Sequence, residues 1–172
     1  HHISRFIFAS SIYVYSEKGA FYRCSKQMCE LMIETYSRKY ALDYTILRFG
    51  SVYGLDAQEN NWISDILRQA LINKKIVRYG DGEELREYIH VEDAARASVD
   101  ILTDEFKNEN VILTGQSAIK IKDLFIMINE MFGNTIEIEY LPTKKIEDHY
   151  EITPYTFKPK LGKKYFVNPH ID

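Results

Sequence analysis

The sequence predicts an α/β fold organised around a parallel sheet, and three observations carry that expectation. Strand-like apolar runs alternate with amphipathic helical stretches along most of the chain. The first run, Arg5-Phe-Ile-Phe-Ala9, is almost unbroken in its hydrophobicity, which suits a covered parallel strand better than an alternating edge strand. Short connections join it to a long helix and the helix to a second β-rich run, Tyr44-Thr-Ile-Leu-Arg-Phe49, the layout of a βαβ unit.

Taken in order, the first strand ends at Ser10-Ser11. A helix is predicted from Phe21 to about Tyr40, where Met28, Met32 and Tyr36 recur at helical spacing with Cys29 and Ile33 beside them. The second strand runs into a loop, Gly50-Ser-Val-Tyr-Gly54, and a polar stretch to Asn61. Trp62, Ile63, Ile66, Leu67, Ala70 and Leu71 trace the stripe of a core-packed helix that stops at Asn73-Lys-Lys. Ile76 to Tyr79 and Tyr88 to Val91 are strand candidates, with the turn Gly80-Asp-Gly82 between them. Val91 to Leu102 follows as a helix whose Ala94, Ala95 and Ser98 permit close packing, and Asn110 to Thr114 as a strand closed by Gly115. Asp123 to Phe132 is helical and stopped by Gly133, and Ile136 to Tyr140 alternates as a half-buried strand does. The final thirty or so residues, with Pro142, Pro154, Pro159 and Pro169, read as irregular and surface-running.

A chain of 172 residues is long enough for one compact domain, or a small domain with a subdomain. Twenty-two basic against twenty-five acidic side chains give a net charge of -3, which excludes a strongly electrostatic nucleic-acid binder. No apolar run of about 20 residues marks a membrane span and no signal peptide is visible, so a reducing cytoplasm is the expected setting. Cys24 and Cys29 fall on different faces of one predicted helix, too poorly placed for a disulfide. No cluster at zinc spacing appears, so no metal is expected.

The chemistry-bearing pattern is Tyr22-Arg-Cys-Ser-Lys26, which puts a phenol and an ammonium on the same face at a helix start. A phenol, with a reference pKa of about 10, is a poor base at neutral pH, and a neighbouring cation favours its phenolate. Such a pair can exchange a proton with a substrate hydroxyl. Ser11 stands at the carboxyl end of the preceding strand, where open α/β sheets place ligand-contacting groups. Alone, a Tyr-x-x-x-Lys pair reads more readily as an exposed helix pair.

Three further segments join it in order. Phe-Ile-Phe-Ala-Ser-Ser-Ile-Tyr-Val-Tyr (6–15), Leu-Arg-Phe-Gly-Ser-Val-Tyr-Gly (47–54) and Tyr-Gly-Asp-Gly-Glu-Glu-Leu-Arg-Glu-Tyr-Ile-His-Val-Glu-Asp-Ala-Ala-Arg-Ala (79–97) accompany Tyr22-x-x-x-Lys26. Together they resemble the extended short-chain dehydrogenase/reductases, specifically the NAD-dependent nucleotide-sugar epimerases and dehydratases, over about residues 5 to 140. The resemblance implies the C-terminal half of a Rossmann-like parallel sheet (residues 1–55, with the Ser/Tyr/Lys set) plus a small α/β substrate-binding subdomain (mainly 56–172), with some segments returning to the sheet. It implies NAD as cofactor, Tyr22 as the proton-transferring base, Lys26 favouring its phenolate and holding the nicotinamide ribose, Phe49 beside the cofactor, and Ser11 on the reacting hydroxyl.

For a UDP-sugar substrate it implies that Arg86 grips the diphosphate, a role suited to a planar multi-donor cation. Arg86 also reads as a solvated strand arginine and Ser51, a candidate substrate contact, as a plain loop serine. Val77 and Tyr79 fall near the nucleotide base, Tyr79 reading equally as core. Trp62 is explained by packing, with substrate contacts close by in relatives. Where 4,6-dehydratases and decarboxylases carry acidic residues after the serine or threonine, this chain has Ile12 and Tyr13, neither of which exchanges a proton as a carboxylic acid does. Epimerisation of a UDP-glucose or UDP-galactose type of sugar at C4 is therefore the expected activity. A reductase or dehydratase is the alternative, and a non-catalytic nucleotide-sugar binder the alternative of another class.

The chain also departs from the pattern. No glycine-rich phosphate loop is present, so the chain reads as the C-terminal part of a longer enzyme. Ten residues separate Ser11 from Tyr22, a shortened loop, and Ser16 replaces a glycine. The late Arg-Pro-Gly-Asp segment is missing; Lys144-Lys-Ile-Glu-Asp-His-Tyr150 stands there, with Lys158 and Lys160 as candidate replacements for its arginine. An open edge on the first strand and the long helix, which resembles the one relatives use in a four-helix contact, point to a homodimer.

Overall fold

Parallel pairing organises the first part of the chain, as the unbroken apolar runs require. A computed structural model describes residues 3–58, 61–142 and 150–156. Strand β1 (Phe6–Ser11) pairs in parallel with β2 (Tyr44–Phe49), aligning Phe6 with Tyr44 and Ser11 with Phe49. Strand β6 (Glu109–Leu113) returns to the far side of β2, also in parallel, giving the order β1-β2-β6. Helix α1 (Ala20–Tyr40) makes the crossover between β1 and β2. Leu47, Leu113 and Ile101 pack together under β2, with Phe49, Phe106 and Val111 against them.

A second core gathers around α4 (Ile121–Met131), which begins two residues before its predicted start and ends before Gly133 at φ +67. Its Leu124, Phe125 and Ile128 meet Ile66 of α2 (Trp62–Arg68), Ala70 in the π-helical turn that prolongs α2 (Gln69–Asn73), and Ile76. Asn61 caps α2, its Oδ1 accepting from the Ser64 N–H at 3.2 Å, so the predicted polar stretch ends in a capping residue. Ile76 lies on β4 (Lys75–Tyr79), which pairs in parallel with β8 (Glu137–Leu141).

Between the two cores, β3 (Ser51–Tyr53) pairs in parallel with β5 (Leu85–His90), and β5 pairs antiparallel with β7 (Ala118–Lys120). Helix α3 (Val91–Asp100) starts directly from β5, His90 accepting from the Glu92 N–H through Nδ1 at 3.3 Å.

Two expectations are corrected here, the loop after β2 and the surface-running late segment, and two features are added. The segment after β2 is a short strand, because pairing with β5 satisfies its backbone. Residues 118–120, too short to show a period, form β7. The Met28, Met32 and Tyr36 stripe of α1 faces outward, while Glu30 and Ile33 are the buried positions. The late segment is not surface-running throughout: Tyr150 and Thr153 are 6% and 4% exposed. That segment runs along β5, with Ile152 bridging Leu85, the Leu85 N–H donating to the Glu151 carbonyl at 2.9 Å, and the Glu87 N–H donating to Thr153 Oγ1 at 3.3 Å.

Candidate active site

Residues at the carboxyl ends of β1 and β2 and at the start of α1 line a cleft of about 700 Å³ together with residues of β5 and α2. Ser11 leaves β1 in extended conformation and caps a single 3-10 turn, Ile12–Tyr15; its Oγ accepts from the Tyr13 N–H at 3.3 Å. Because that bond uses the oxygen as acceptor, the hydroxyl proton remains for a partner in the cleft. Ile12 and Val14 anchor the turn in the interior, and Tyr13 between them faces the cleft.

The shortened loop then returns tightly to α1. Gly19 adopts φ +89, and a Cβ there would stand 2.5 Å from Tyr13 Cδ1, so no larger residue fits while Tyr13 holds this position. Tyr22 follows in the first turn of α1, exposed on the cleft wall, its ring edge-to-face with Tyr13 at 6.0 Å. One turn on, Lys26 Nζ donates to the Ala9 carbonyl at 2.8 Å and lies 5.0 Å from the Phe8 ring centroid and 5.7 Å from that of Tyr22. The i, i+4 spacing thus brings the ammonium beside the phenol ring, as the helix geometry requires.

A buried network holds these pieces in register. Arg48 of β2 clasps Glu30 of α1 through two nitrogens, Nε to Oε1 at 3.1 Å and Nη2 to Oε2 at 2.7 Å. Ser10 Oγ donates to the same carboxylate at 2.5 Å, and Arg48 also donates to the Tyr15 hydroxyl. Burial works to lower the Arg48 pKa, and the hydrogen bonds and charge of Glu30 outweigh it, leaving it above the ordinary arginine value. One charge pair therefore joins β1, the 3-10 turn, α1 and β2, the elements that present Ser11 and Tyr22.

On the opposite side Arg86 projects from β5, 7% exposed. Its Nη1 donates to the Leu85 and Glu151 carbonyls, each at 3.0 Å, and its guanidinium lies 4.5 Å from the centroid of the Tyr150 ring. Among the described residues Arg86 pairs with no carboxylate, which leaves its charge for an anion in the cleft. Tyr150 also contacts Tyr13, ring centroids 5.0 Å apart, and its hydroxyl lies 3.4 Å from Ser51 Oγ. A second guanidinium, Arg78, lies over the Trp62 indole at 5.7 Å and pairs with Glu84 at 2.5 Å. Trp62 stacks on Tyr88, interplanar angle 11°. Burial pushes the Tyr88 phenol well above the ordinary tyrosine value, Arg86 and Arg78 partly opposing it.

The structure thus brings Ser11, Tyr22, Ser51 and Arg86 to one cleft. Lys26 lies beside Tyr22 behind the wall, and Phe49 packs with Leu47, Ile101 and Leu113. Val77 and Tyr79 lie on β4 outside the cleft lining, the Val77 N–H donating to Gln69 Oε1 at 3.1 Å. Lys158 and Lys160 lie outside the described residues. Tyr13, Arg78, Tyr88 and Tyr150 are cleft residues that sequence reasoning gave no binding role. Period two along β5 places Tyr88 on the face of Arg86 and could have found it; Tyr150 carries no local signal.

Comparison with known proteins accords with this arrangement. The NAD dependent epimerase/dehydratase family matches residues 1–113. A candidate UDP-glucose 4-epimerase of Methanocaldococcus jannaschii is 32% identical over 115 residues, 65% of this chain and 37% of that protein. Other relatives include a dTDP-4-dehydro-6-deoxy-D-allose reductase and a dTDP-glucose 4,6-dehydratase. The UDP-N-acetylglucosamine 4-epimerase of Methanobrevibacter ruminantium, solved with UDP-N-acetylmuramic acid, superposes with a TM-score of 0.78 at 26% identity, over 90% of this chain and 55% of that one. The Bacillus cereus UDP-glucuronic acid 4-epimerase, solved with UDP-glucuronic acid and NAD, shares the fold at a TM-score of 0.80 and 20% identity, over 94% and 58% of the two chains. The chain spans 37–46% of the length of the first curated relatives it matches. With the βαβ order, the serine at the strand end and the Tyr-Lys pair on the crossover helix, the matched residues establish that this chain belongs to the NAD-dependent epimerase/dehydratase family.

Proposed function

We propose that this chain carries the catalytic and substrate-binding residues of a nucleotide-sugar 4-epimerase, with a UDP-hexose as substrate. The observation that carries the reading is that one cleft is lined by Ser11 and Tyr22 and by Arg86, which has no carboxylate partner among the described residues, with the rings of Tyr13 and Tyr150 in succession between Tyr22 and Arg86. In a hexopyranose joined to a diphosphate, C1 and C4 are opposite ring positions. A guanidinium on the phosphates and a phenol at the C4 hydroxyl are then parted by the sugar ring, as the two tyrosine rings part Arg86 from Tyr22.

Within this reading the Tyr22 oxygen takes the C4 hydroxyl proton and returns it, Ser11 donates to the same sugar oxygen, and Lys26 stands beside the phenol ring. Arg86 holds the diphosphate, and Ser51 lines the cleft between. The residues present fit the nicotinamide end of a dinucleotide. Ser11 and Phe49 end paired parallel strands side by side, with Lys26 adjoining, at the carboxyl edge where α/β sheets bind ligands. Lys26 would hold the ribose there and Phe49 border it; NAD, when bound, supplies the hydride acceptor. Ile12 and Tyr13 offer no carboxylic acid for an elimination, which favours epimerisation over dehydration.

The domain division at residue 55 and a homodimer built on α1 belong to the same proposal. Phe21, Met28, Met32 and Tyr36 leave an apolar stripe of α1 in solvent, the pattern of a face that meets another copy. Incubation of the purified protein with UDP-glucose and NAD, followed by NMR of the products, tests the reaction. UDP-galactose is the expected product; a 4-keto-6-deoxy sugar, or unchanged substrate, contradicts the reading.

A further inference from the structure

Between Tyr22 and Arg86 the cleft wall is made by two aromatic rings in direct succession. Tyr13 stands 6.0 Å from Tyr22, Tyr150 stands 5.0 Å from Tyr13, and the Arg86 guanidinium lies 4.5 Å from Tyr150. We propose that Tyr13 and Tyr150 form the wall against which the substrate's sugar ring lies, and that they set the enzyme's affinity for the sugar rather than for the nucleotide. The proposal rests on the nucleotide-sugar reading of the cleft.

If Arg86 holds the phosphates and Tyr22 reaches the C4 hydroxyl, the hexose ring occupies the space between them, and both tyrosines line that space. A pyranose has polar edges but carries C–H bonds on its faces, so it suits an aromatic wall, whose π faces attract polarised C–H groups while the phenol hydroxyls stay polar. The Tyr150 hydroxyl lies 3.4 Å from Ser51 Oγ, which orients the ring and leaves a polar edge for sugar hydroxyls.

Both rings are fixed in advance. Tyr13 is framed by the buried Ile12 and Val14 and by Gly19, where a side chain would collide with it. Tyr150 is held by a strap, since Glu151, Ile152 and Thr153 bond to or bridge the β5 backbone. Arg86 Nη1 is anchored by the Leu85 and Glu151 carbonyls and its guanidinium also rests on the Tyr150 ring, whereas the ring contacts of Tyr13 are with Tyr22 and Tyr150, so Tyr13 is the position at which the sugar wall and the phosphate grip separate experimentally.

Calorimetric titration of the NAD-loaded protein with UDP and with UDP-glucose reads the two contributions apart. For Tyr13→Leu, UDP-glucose affinity should fall about tenfold while UDP affinity stays within about twofold; for Tyr150→Leu, whose ring also packs on Arg86, the fall for UDP-glucose should exceed that for UDP; Tyr13→Phe and Tyr150→Phe should keep most of the UDP-glucose affinity. Thermal melts check that each variant is folded. Equal losses for UDP and UDP-glucose in the leucine variants, or unchanged affinity for both, would overturn the sugar wall. Wild-type protein that binds neither ligand would instead overturn the nucleotide-sugar reading on which it rests.

Discussion

Glu30 and Arg48 are charges buried to 4% and 5% exposure, a costly arrangement that survives only because each satisfies the other and because Ser10 and Tyr15 take the remaining bonds. Removing one partner strands the other. Glu30→Leu should therefore destabilise the protein by about 3–5 kcal/mol, while Glu30→Leu with Arg48→Met should recover much of that loss in urea denaturation. A single variant within about 1 kcal/mol of wild type would show that the pair does not hold β1, α1 and β2 together. At this scale the sequence revealed what is local. Tyr22 and Lys26 announce themselves by i, i+4 spacing, and Ser11 by its place at a strand end. Tyr13 with Tyr150, and Glu30 with Arg48, meet only through tertiary approach, and no periodicity records that.

Among the elements, α1 shows how a helical stripe can be legible while its direction is not. The spacing of Met28, Met32 and Tyr36 correctly implied a helix, yet those side chains face solvent and the inward positions include a glutamate. An apolar stripe signals some contact, and the sequence does not say whether the contact lies within the chain or with another copy. Met28→Glu with Met32→Glu places charge on that stripe, away from Glu30 and the cleft. Sedimentation velocity should show a dimer for the wild type at micromolar concentration and a monomer for the double variant. A wild type that remains monomeric would remove the case for this face as an interface. The short strands β3 and β7 escaped the sequence because three residues cannot display a period; their pairing with β5 creates them.

Across the whole molecule, two cores are joined by strands whose ends meet at one cleft. The parallel sheet and the α/β order were readable because parallel strands need long crossovers, which leave room for helical periodicity between apolar runs. The far wall was harder to read. Arg86 stood out through its surrounding segment, whereas the strap that steadies it lies among prolines that read as loop. In the proposed function that wall holds the substrate for the Tyr-Lys pair, and Tyr22 is the group that moves the proton. The most direct test compares turnover of UDP-galactose to UDP-glucose by wild-type and Tyr22→Phe protein, each with NAD and each shown to be folded. The account predicts a fall of at least about 100-fold in kcat for the phenylalanine variant, with UDP-galactose binding largely kept. Turnover within a few fold of wild type would contradict it.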